Sequence, residues 1–282
     1  MKMFGSQLKK RKKVFSETEK LCQDNVMLKT CIQASTVRQY VLTEDTTITK
    51  TGKEKEYENP AILCATLDTA LHAAQKYKKR KVCILNFAHA IIPGGGVTIG
   101  LEGQEESLCR SSTLYCGLEH EKVYKEFYKR HEEANLEWRS NDDCIYTPDV
   151  IVFKREDDTD YLPPEDWFTI DVISCSAPYI ANLEFNEDYL RSIIYKRIQR
   201  VIELARSEGE DVLILGAFGC GRCSNPPKLV AEEMVKAVKE FIYSFEAIDF
   251  AIRSENNEIS GNSEQNIYEV FRQIIEEDYL LQ

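Results

Sequence analysis

Residues 82–96 read VCILNFAHAIIPGGG. The segment Val82–Ala88 is mostly apolar, with Lys79-Arg80-Lys81 before it and a Pro93-Gly94 turn after it. A short apolar run bounded by charge and a turn predicts a buried β-strand. The three glycines Gly94, Gly95 and Gly96 carry no side chains, so a ligand can approach their backbone closely. Successive N–H groups in such a turn form a cradle for an anion. Residues 212–221, VLILGAFGCG, repeat the arrangement, and they lead through Ser224-Asn225-Pro226-Pro227 to another helical pattern. A glycine-rich turn between strand and helix is the usual phosphate grip of α/β folds. Neither loop fits G-x-x-x-x-G-K-[ST], so a P-loop nucleotidase is excluded. Two such loops suit a ligand with two phosphates, or a phosphate between two sugars.

Outward from these strands the pattern alternates. Residues 1–35 read as a polar helix with apolar Val14, Leu21, Val26 and Leu28, and Val37–Leu42 as a β-prone stretch. Residues 44–60 read as a loop ending at Asn59-Pro60. Leu63, Leu67, Ala70, Leu71 and Ala74 recur at helical spacing, and residues 104–134 look mostly helical. Strands are predicted at Asp149–Phe153, Phe168–Cys175, Val212–Ala217 and Ile248–Ile252, with Arg155–Glu165 as an acidic loop. Amphipathic helices are predicted around Leu190–Ala205, Leu229–Ile242 and Ile267–Ile275. Strands alternating with helices indicate an α/β layered domain with a largely parallel or mixed sheet.

The 282 residues carry a net charge of −11. That argues against duplex nucleic acid as partner, and leaves local binding of a small anion open. No run is long and apolar enough to span a membrane. Lys9-Lys10-Arg11-Lys12-Lys13 is not followed by an apolar stretch, so it is no secretory signal. It reads as a solvated helix face, with a nuclear address as the alternative in a eukaryotic host. A reducing, cytoplasmic setting is therefore expected. The ten cysteines are scattered, so no disulfide framework is expected. Only Cys220 and Cys223 have C-x-x-C spacing, and a single pair does not make a zinc ribbon.

Gln104-Glu105-Glu106 follows Gly96 by seven intervening residues. Like charge and burial raise a carboxyl pKa, and such a group can protonate a leaving oxygen and then take a proton from water. Adjacent glutamates on an exposed helix are common, so the triplet matters only in combination with the glycine loop. That combination, Pro93-Gly94-Gly95-Gly96-x7-Gln104-Glu105-Glu106 followed by Ser107-Leu-Cys-Arg-Ser-Ser-Thr-Leu-Tyr115, resembles the bacterial-type poly(ADP-ribose) glycohydrolases of the macrodomain superfamily. Tyr146–Phe153, Asp171–Pro178, Gly216–Gly221 and Asn225-Pro226-Pro227 extend the resemblance, in one order, over roughly residues 10–255.

The resemblance implies an α/β, macrodomain-like three-layer fold with a mixed central sheet and an N-terminal helical extension. Residues 1–60 would pack on a catalytic core spanning 61–282. It implies hydrolysis of ribose–ribose O-glycosidic bonds of poly(ADP-ribose), from chain ends, with no metal and no cofactor. Glu106 would be the catalytic acid and then base. Glu105 would hold the distal ribose and leaving group, with Gln104 supporting the loop. Gly94, Gly95 and Gly96 would let the loop wrap diphosphate and ribose. Gly219, Cys220, Gly221 and Arg222 would offer backbone N–H groups to the diphosphate, with Phe218 and Cys223 completing that loop. Asn86, Phe87 and Ala88 would end their strand beside the distal ribose. The expected partner is ADP-ribose or its polymer, including on modified proteins, and the expected state a monomer.

Two positions depart from the family's pattern. Cys223 stands where an aromatic usually packs on the distal ribose, and His89 stands where a small polar residue is more usual. The alternatives kept open are an ADP-ribose-binding reader and a hydrolase of mono-ADP-ribosyl groups or O-acetyl-ADP-ribose.

Overall fold

The computed structural model describes residues 2–138, 140–155, 160–253 and 266–280. In chain order the elements are α1 (Lys2–Asp24), α2 (Val26–Arg38), β1 (Tyr40–Leu42), β2 (Ile62–Thr66), α3 (Ala70–Lys76) and β3 (Val82–Phe87). Then come α4 (Gln104–Ser111), α5 (Leu114–Leu118), α6 (Glu121–Val123), α7 (Lys129–Ala134), β4 (Cys144–Val152) and β5 (Phe168–Cys175). The last are α8 (Glu187–Ser207), β6 (Val212–Leu215), α9 (Pro227–Lys239), β7 (Ala247–Ala251) and α10 (Ile267–Leu280). The chain divides into one unit of Met1–Thr46 with Asn86–Ser176, and another of Thr47–Leu85 with Ala177–Gln282.

The first unit is built on antiparallel strands. Tyr40 pairs with Tyr146 across β1 and β4, and Cys144 pairs with Cys175 across β4 and β5. The register of β4 slips between Thr147 and Val150. Pro148 has no N–H to give there, and Asp149 turns at φ +49°. Asp171 holds the slip by accepting from the Asp149 N–H at 2.8 Å and from the Tyr146 hydroxyl. The sequence reading began this strand at Asp149; pairing through the irregularity starts it at Cys144.

The N-terminal residues form two helices rather than the single one expected. Asn25 takes an extended conformation and its side chain accepts from the Leu28 N–H at 3.0 Å, so it ends α1 and caps α2. The second helix then runs on to Arg38, which shortens the expected strand at Val37–Leu42 to Tyr40–Leu42. Val14, Phe15, Thr18 and Cys22 are the buried side of α1, while Lys9, Lys10, Lys12 and Lys13 are exposed. The basic run is thus a solvated face. The fully buried Lys154 ammonium ties α1 down, donating to the Val14 carbonyl at 3.0 Å and the Thr18 hydroxyl at 2.8 Å.

The second unit carries the parallel strands. Val82 pairs with Val212, Val212 with Ala247, and Ala247 with Ile62. Strands β3, β6 and β7 are buried along nearly their whole length, as expected for strands covered on both faces. Helix α8 buries Leu190, Ile194, Ile198, Val201 and Ile202. Each such side chain contributes about 1.5–3 kcal/mol of hydrophobic stabilisation. Helix α10 packs on α9 and β2, with Phe271 and Phe250 ring centroids 5.4 Å apart.

One helix expectation is corrected here. The stripe from Leu63 to Ala74 is only helical from Ala70; Ile62–Thr66 is a strand and Leu67 is exposed. Thr69 stops any earlier start, because its side chain accepts from the His72 N–H as the cap of α3. The strands at Phe168–Cys175 and around 212–217 and 248–252, and the helical region 104–134, are where the sequence places them. Part of the acidic loop read at Arg155–Glu165 lies outside the described residues.

Removing the cap between α1 and α2 has a defined cost. Asn25→Ala is expected to lower unfolding free energy by about 1 kcal/mol. Urea denaturation would show it as a lower midpoint at unchanged slope; an unchanged midpoint would mean Asn25 does not set the break.

Candidate active site

In the first unit the end of β3 meets the start of α4. Asn86 is fully buried, and its amide nitrogen donates to Ser174 Oγ at 2.9 Å and to Glu105 Oε1 at 3.3 Å. The Phe87 N–H donates to Gln104 Oε1 at 2.8 Å, which gives Gln104 the loop-supporting place expected of it. The Ala88 N–H donates to the Cys175 carbonyl at 3.0 Å. Asn86 Oδ1 is buried with no hydrogen-bond partner among the described residues. An unpaired buried acceptor is costly, and marks a place where a ligand donor would be welcome.

The glycine loop then turns back over the carboxylates. Gly94 and Gly95 both have positive φ, +66° and +57°. A Cβ on Gly95 would lie 2.8 Å from Glu106 Oε1 and 3.1 Å from Glu105 Oε2, so no other residue fits. The Gly96 N–H donates to Glu106 Oε1 at 3.0 Å, and the His89 N–H to Glu105 Oε2 at 2.8 Å. His89 itself serves the turn: its Nδ1 accepts from the N–H groups of Ile91 and Ile92.

Both glutamates lie in the first turn of α4, where the helix dipole favours negative charge. Glu105 is 3% exposed and Glu106 6%. Burial, with a contribution from the charge of Glu106, pushes Glu105 up to about 8; the donors at His89, Asn86 and Gly94 pull the other way without prevailing. Glu105 is therefore mostly protonated at neutral pH. It has a donor on each oxygen, whereas a backbone donor to Glu106 is seen on Oε1.

Three contributors were not singled out from the sequence. Gly103 must lack a Cβ because one would sit 2.3 Å from Glu106 Oε2. Ser174 orients Asn86. The Tyr115 ring lies so close to Gly94 that a Cβ there would meet it at 2.7 Å. Gly103 was legible, since it directly precedes the Gln-Glu-Glu triplet; Tyr115 and Ser174 lie inside stretches that carry the resemblance, but their contacts with Gly94 and Asn86 arise only in the fold.

The second unit holds the other glycine-rich turn, after β6. Gly219 has φ +74°, and a Cβ there would lie 2.1 Å from Asn225 Nδ2. That Asn225 amide donates to the carbonyls of Pro178 and Gly219, at 2.9 and 3.2 Å, and so pins the turn. Gly221 and Arg222 are exposed, and a Cβ at Gly221 would meet nothing within 4 Å. The Phe218 ring is fully buried, while Cys220 and Cys223 are half-buried with thiol pKa values raised by burial. The backbone N–H of Ile180 donates to the Cys223 carbonyl at 2.9 Å. Among the described residues no group of three or more His, Cys, Asp or Glu is arranged to hold a metal ion, and no helix is long and apolar enough to cross a membrane.

Residues 7–155 match the family described as microbial-type PARG, catalytic domain. A crystal structure of poly(ADP-ribose) glycohydrolase from Thermomonospora curvata shares the fold with a TM-score of 0.81 at 23% identity, over 94% of this chain and 99% of that one. The same enzyme bound to the inhibitor ADP-HPD gives 0.77, also at 23% identity, over 94% and 98%. The Deinococcus radiodurans enzyme in complex with ADP-ribose gives 0.73 at 24% identity, over 87% and 97%. Comparison with curated proteins gives no match.

The raised pKa of Glu105 makes stability depend on pH. The folded state keeps a proton that the unfolded chain releases near its ordinary value of 4.5, so this contribution is lost as pH rises towards about 8. Glu105→Gln removes that loss. The melting temperature of Glu105→Gln relative to wild type is expected to climb between pH 5 and pH 9; a difference that stays flat across this range would contradict a protonated Glu105.

Proposed function

The chain belongs to the microbial-type poly(ADP-ribose) glycohydrolase catalytic-domain family, and on that premise we propose that it releases ADP-ribose from the ends of poly(ADP-ribose) with Glu106 as acid and then base. The observation that carries this reading is the buried Glu105–Glu106 pair beneath a loop that only glycine can form. Cleavage at an anomeric carbon passes through an oxocarbenium-like state, which needs a proton donor on the leaving oxygen and negative charge nearby. Glu106 suits the first task because its carboxyl lies in the first turn of α4, against the glycine loop at Gly95 and Gly103. It protonates the leaving ribose oxygen and afterwards takes a proton from the attacking water. Glu105, held by the donors at Asn86 and His89, is the anchor. Protonated, it can donate a hydrogen bond to a ribose hydroxyl and adds no repulsion to its neighbour.

The relatives' ligands, ADP-ribose and ADP-HPD, fit the donor set of this chain. Asn86 Oδ1 is an acceptor for a ribose hydroxyl. Backbone N–H groups around Gly94–Gly96, and separately those of Gly219–Arg222, suit phosphate oxygens. The mechanism as proposed draws on carboxyl groups alone and uses no metal. Residues 61–282 would form the catalytic core with residues 1–60 packed on it, and the protein would act as a monomer in the cytoplasm.

The test is product release from labelled poly(ADP-ribose) by wild type and Glu106→Gln, read by chromatography, with ADP-ribose binding measured by calorimetry. Glu106→Gln is expected to keep binding while turnover falls about 10²–10⁴-fold, the usual scale of acid–base catalysis. Equal loss of binding and turnover would remove the assigned role. Binding without release by the wild type would point instead to a reader or to a mono-ADP-ribose substrate.

A further inference from the structure

The first unit contains a cavity of about 480 Å³, and it is set among α1, α2 and α5. Its lining includes Cys22 and Glu19 from α1, Ile32 from α2, Tyr115 and Cys116 from α5, and Glu119 just beyond. Cys22 belongs to a buried cluster with Leu28, Ile151 and Phe153, and Cys116 packs against that cluster. The two cysteines thus meet at one cavity, Cys22 from α1 and Cys116 from α5.

We propose that Cys22 and Cys116 form a peroxide-oxidisable dithiol, a modification site whose disulfide fastens α1 to α5. Both cysteines are free and line the same cavity, so a small hydroperoxide has a route to them. Attack is by a thiolate, and the neighbouring Cys22 lowers the pKa of Cys116 while its own is raised. The carboxyls of Glu19 and Glu119 oppose the charge on Cys116, and the Lys154 ammonium favours a later one on Cys22. Elsewhere burial holds thiols back: Cys64 is raised to about 11, and Cys109, Cys220 and Cys223 are raised as well.

The chemistry balances in two steps. The Cys116 thiolate attacks one peroxide oxygen, the O–O bond breaks, and the departing hydroxide takes a proton to leave as water. Cys116 is then a sulfenic acid, oxidised by two electrons while the peroxide is reduced by two. Cys22 sulfur attacks the Cys116 sulfur, the S–O bond breaks, and the hydroxide leaves as water with the Cys22 proton. Two thiols and one hydrogen peroxide give one disulfide and two waters. This site does not depend on the catalytic reading.

The reduced full chain would be treated with graded hydrogen peroxide, alkylated, digested with trypsin without reduction and mapped by mass spectrometry. Cys22, Cys31, Cys116, Cys220 and Cys223 fall in separate peptides, because a lysine or arginine lies between each neighbouring pair. The expected result is that the Cys22–Cys116 cross-link forms at the lowest dose, ahead of any involving Cys31 or joining Cys220 to Cys223. Cys22→Ser is expected to accumulate a dimedone-reactive sulfenic acid on Cys116, and Cys116→Ser to abolish the link. A different first cross-link, or Cys116 left reduced when other thiols have reacted, would overturn the proposal. The wild-type map decides even where a variant folds poorly.

Discussion

The constraint on which the rest depends is the burial of two neighbouring carboxyl groups in the first turn of a helix. Carboxylates taken from water need replacement donors. Here the backbone supplies them, through His89 and Gly96. To do so the loop must pass within a side chain's width of both groups. That demands glycine at 95 and 103, because a Cβ at either would fall on a Glu106 oxygen. The glycine run is therefore the geometric complement of the glutamate pair. A glycine-rich loop is otherwise entropically expensive, and the hydrogen bonds to two buried carboxyls fix it.

The same demand explains the N-terminal helix. A loop without side chains has little to pack with, so its position must be set from outside. Helix α1 does this at successive turns of its length. The Leu8 carbonyl abuts Gly100, where a Cβ would lie 2.3 Å from it, and Arg11 pairs with Glu102. Phe15 stands edge-on to Tyr115 with ring centroids 4.8 Å apart, and Tyr115 in turn lies against Gly94. Thr18 donates to the Arg110 carbonyl near the end of α4. The contacts alternate backbone approach, ion pair, ring and hydroxyl, which together define a helix position better than any one of them. Arg11 belongs to the basic run, and its pairing with Glu102 shows that one member of a solvated face can still be structural.

Strand and helix alternation was legible because burial on both faces writes an unbroken apolar run, as in Val82–Leu85 and Val212–Leu215. What misled was local chemistry that overrides spacing. Asn25 and Thr69 both cap helices with a side-chain oxygen, and neither was weighed against the apolar stripe around it. The register slip in β4 depends on Asp171, twenty-two residues beyond Asp149, so no window of sequence contains it. At the site, the triplet and the glycines stood out as a pattern. The raised pKa of Glu105 did not, since it follows from the burial that the fold imposes on that side chain.

A polymer of ADP-ribose is a polyanion, and a chain of net charge −11 is a poor long-range attractor for it. Screening makes the total less important than its distribution, because charges more than about 8 Å apart in water barely interact at physiological salt. The distribution is uneven. Lys9, Lys10, Lys12 and Lys13 are exposed on α1, the helix whose Leu8 and Arg11 touch the loop leading to Gln104. The helix that fixes the loop thus carries four exposed lysines, of which Lys13 pairs with Glu17 at 3.7 Å. Close to the glutamates lie neutral dipoles: backbone N–H groups and the Asn86 amide. A cation beside Glu105 would favour its charged form and draw its pKa down. Backbone donors, unlike a cation, hold the carboxyl in place without removing the rise that burial gives its pKa.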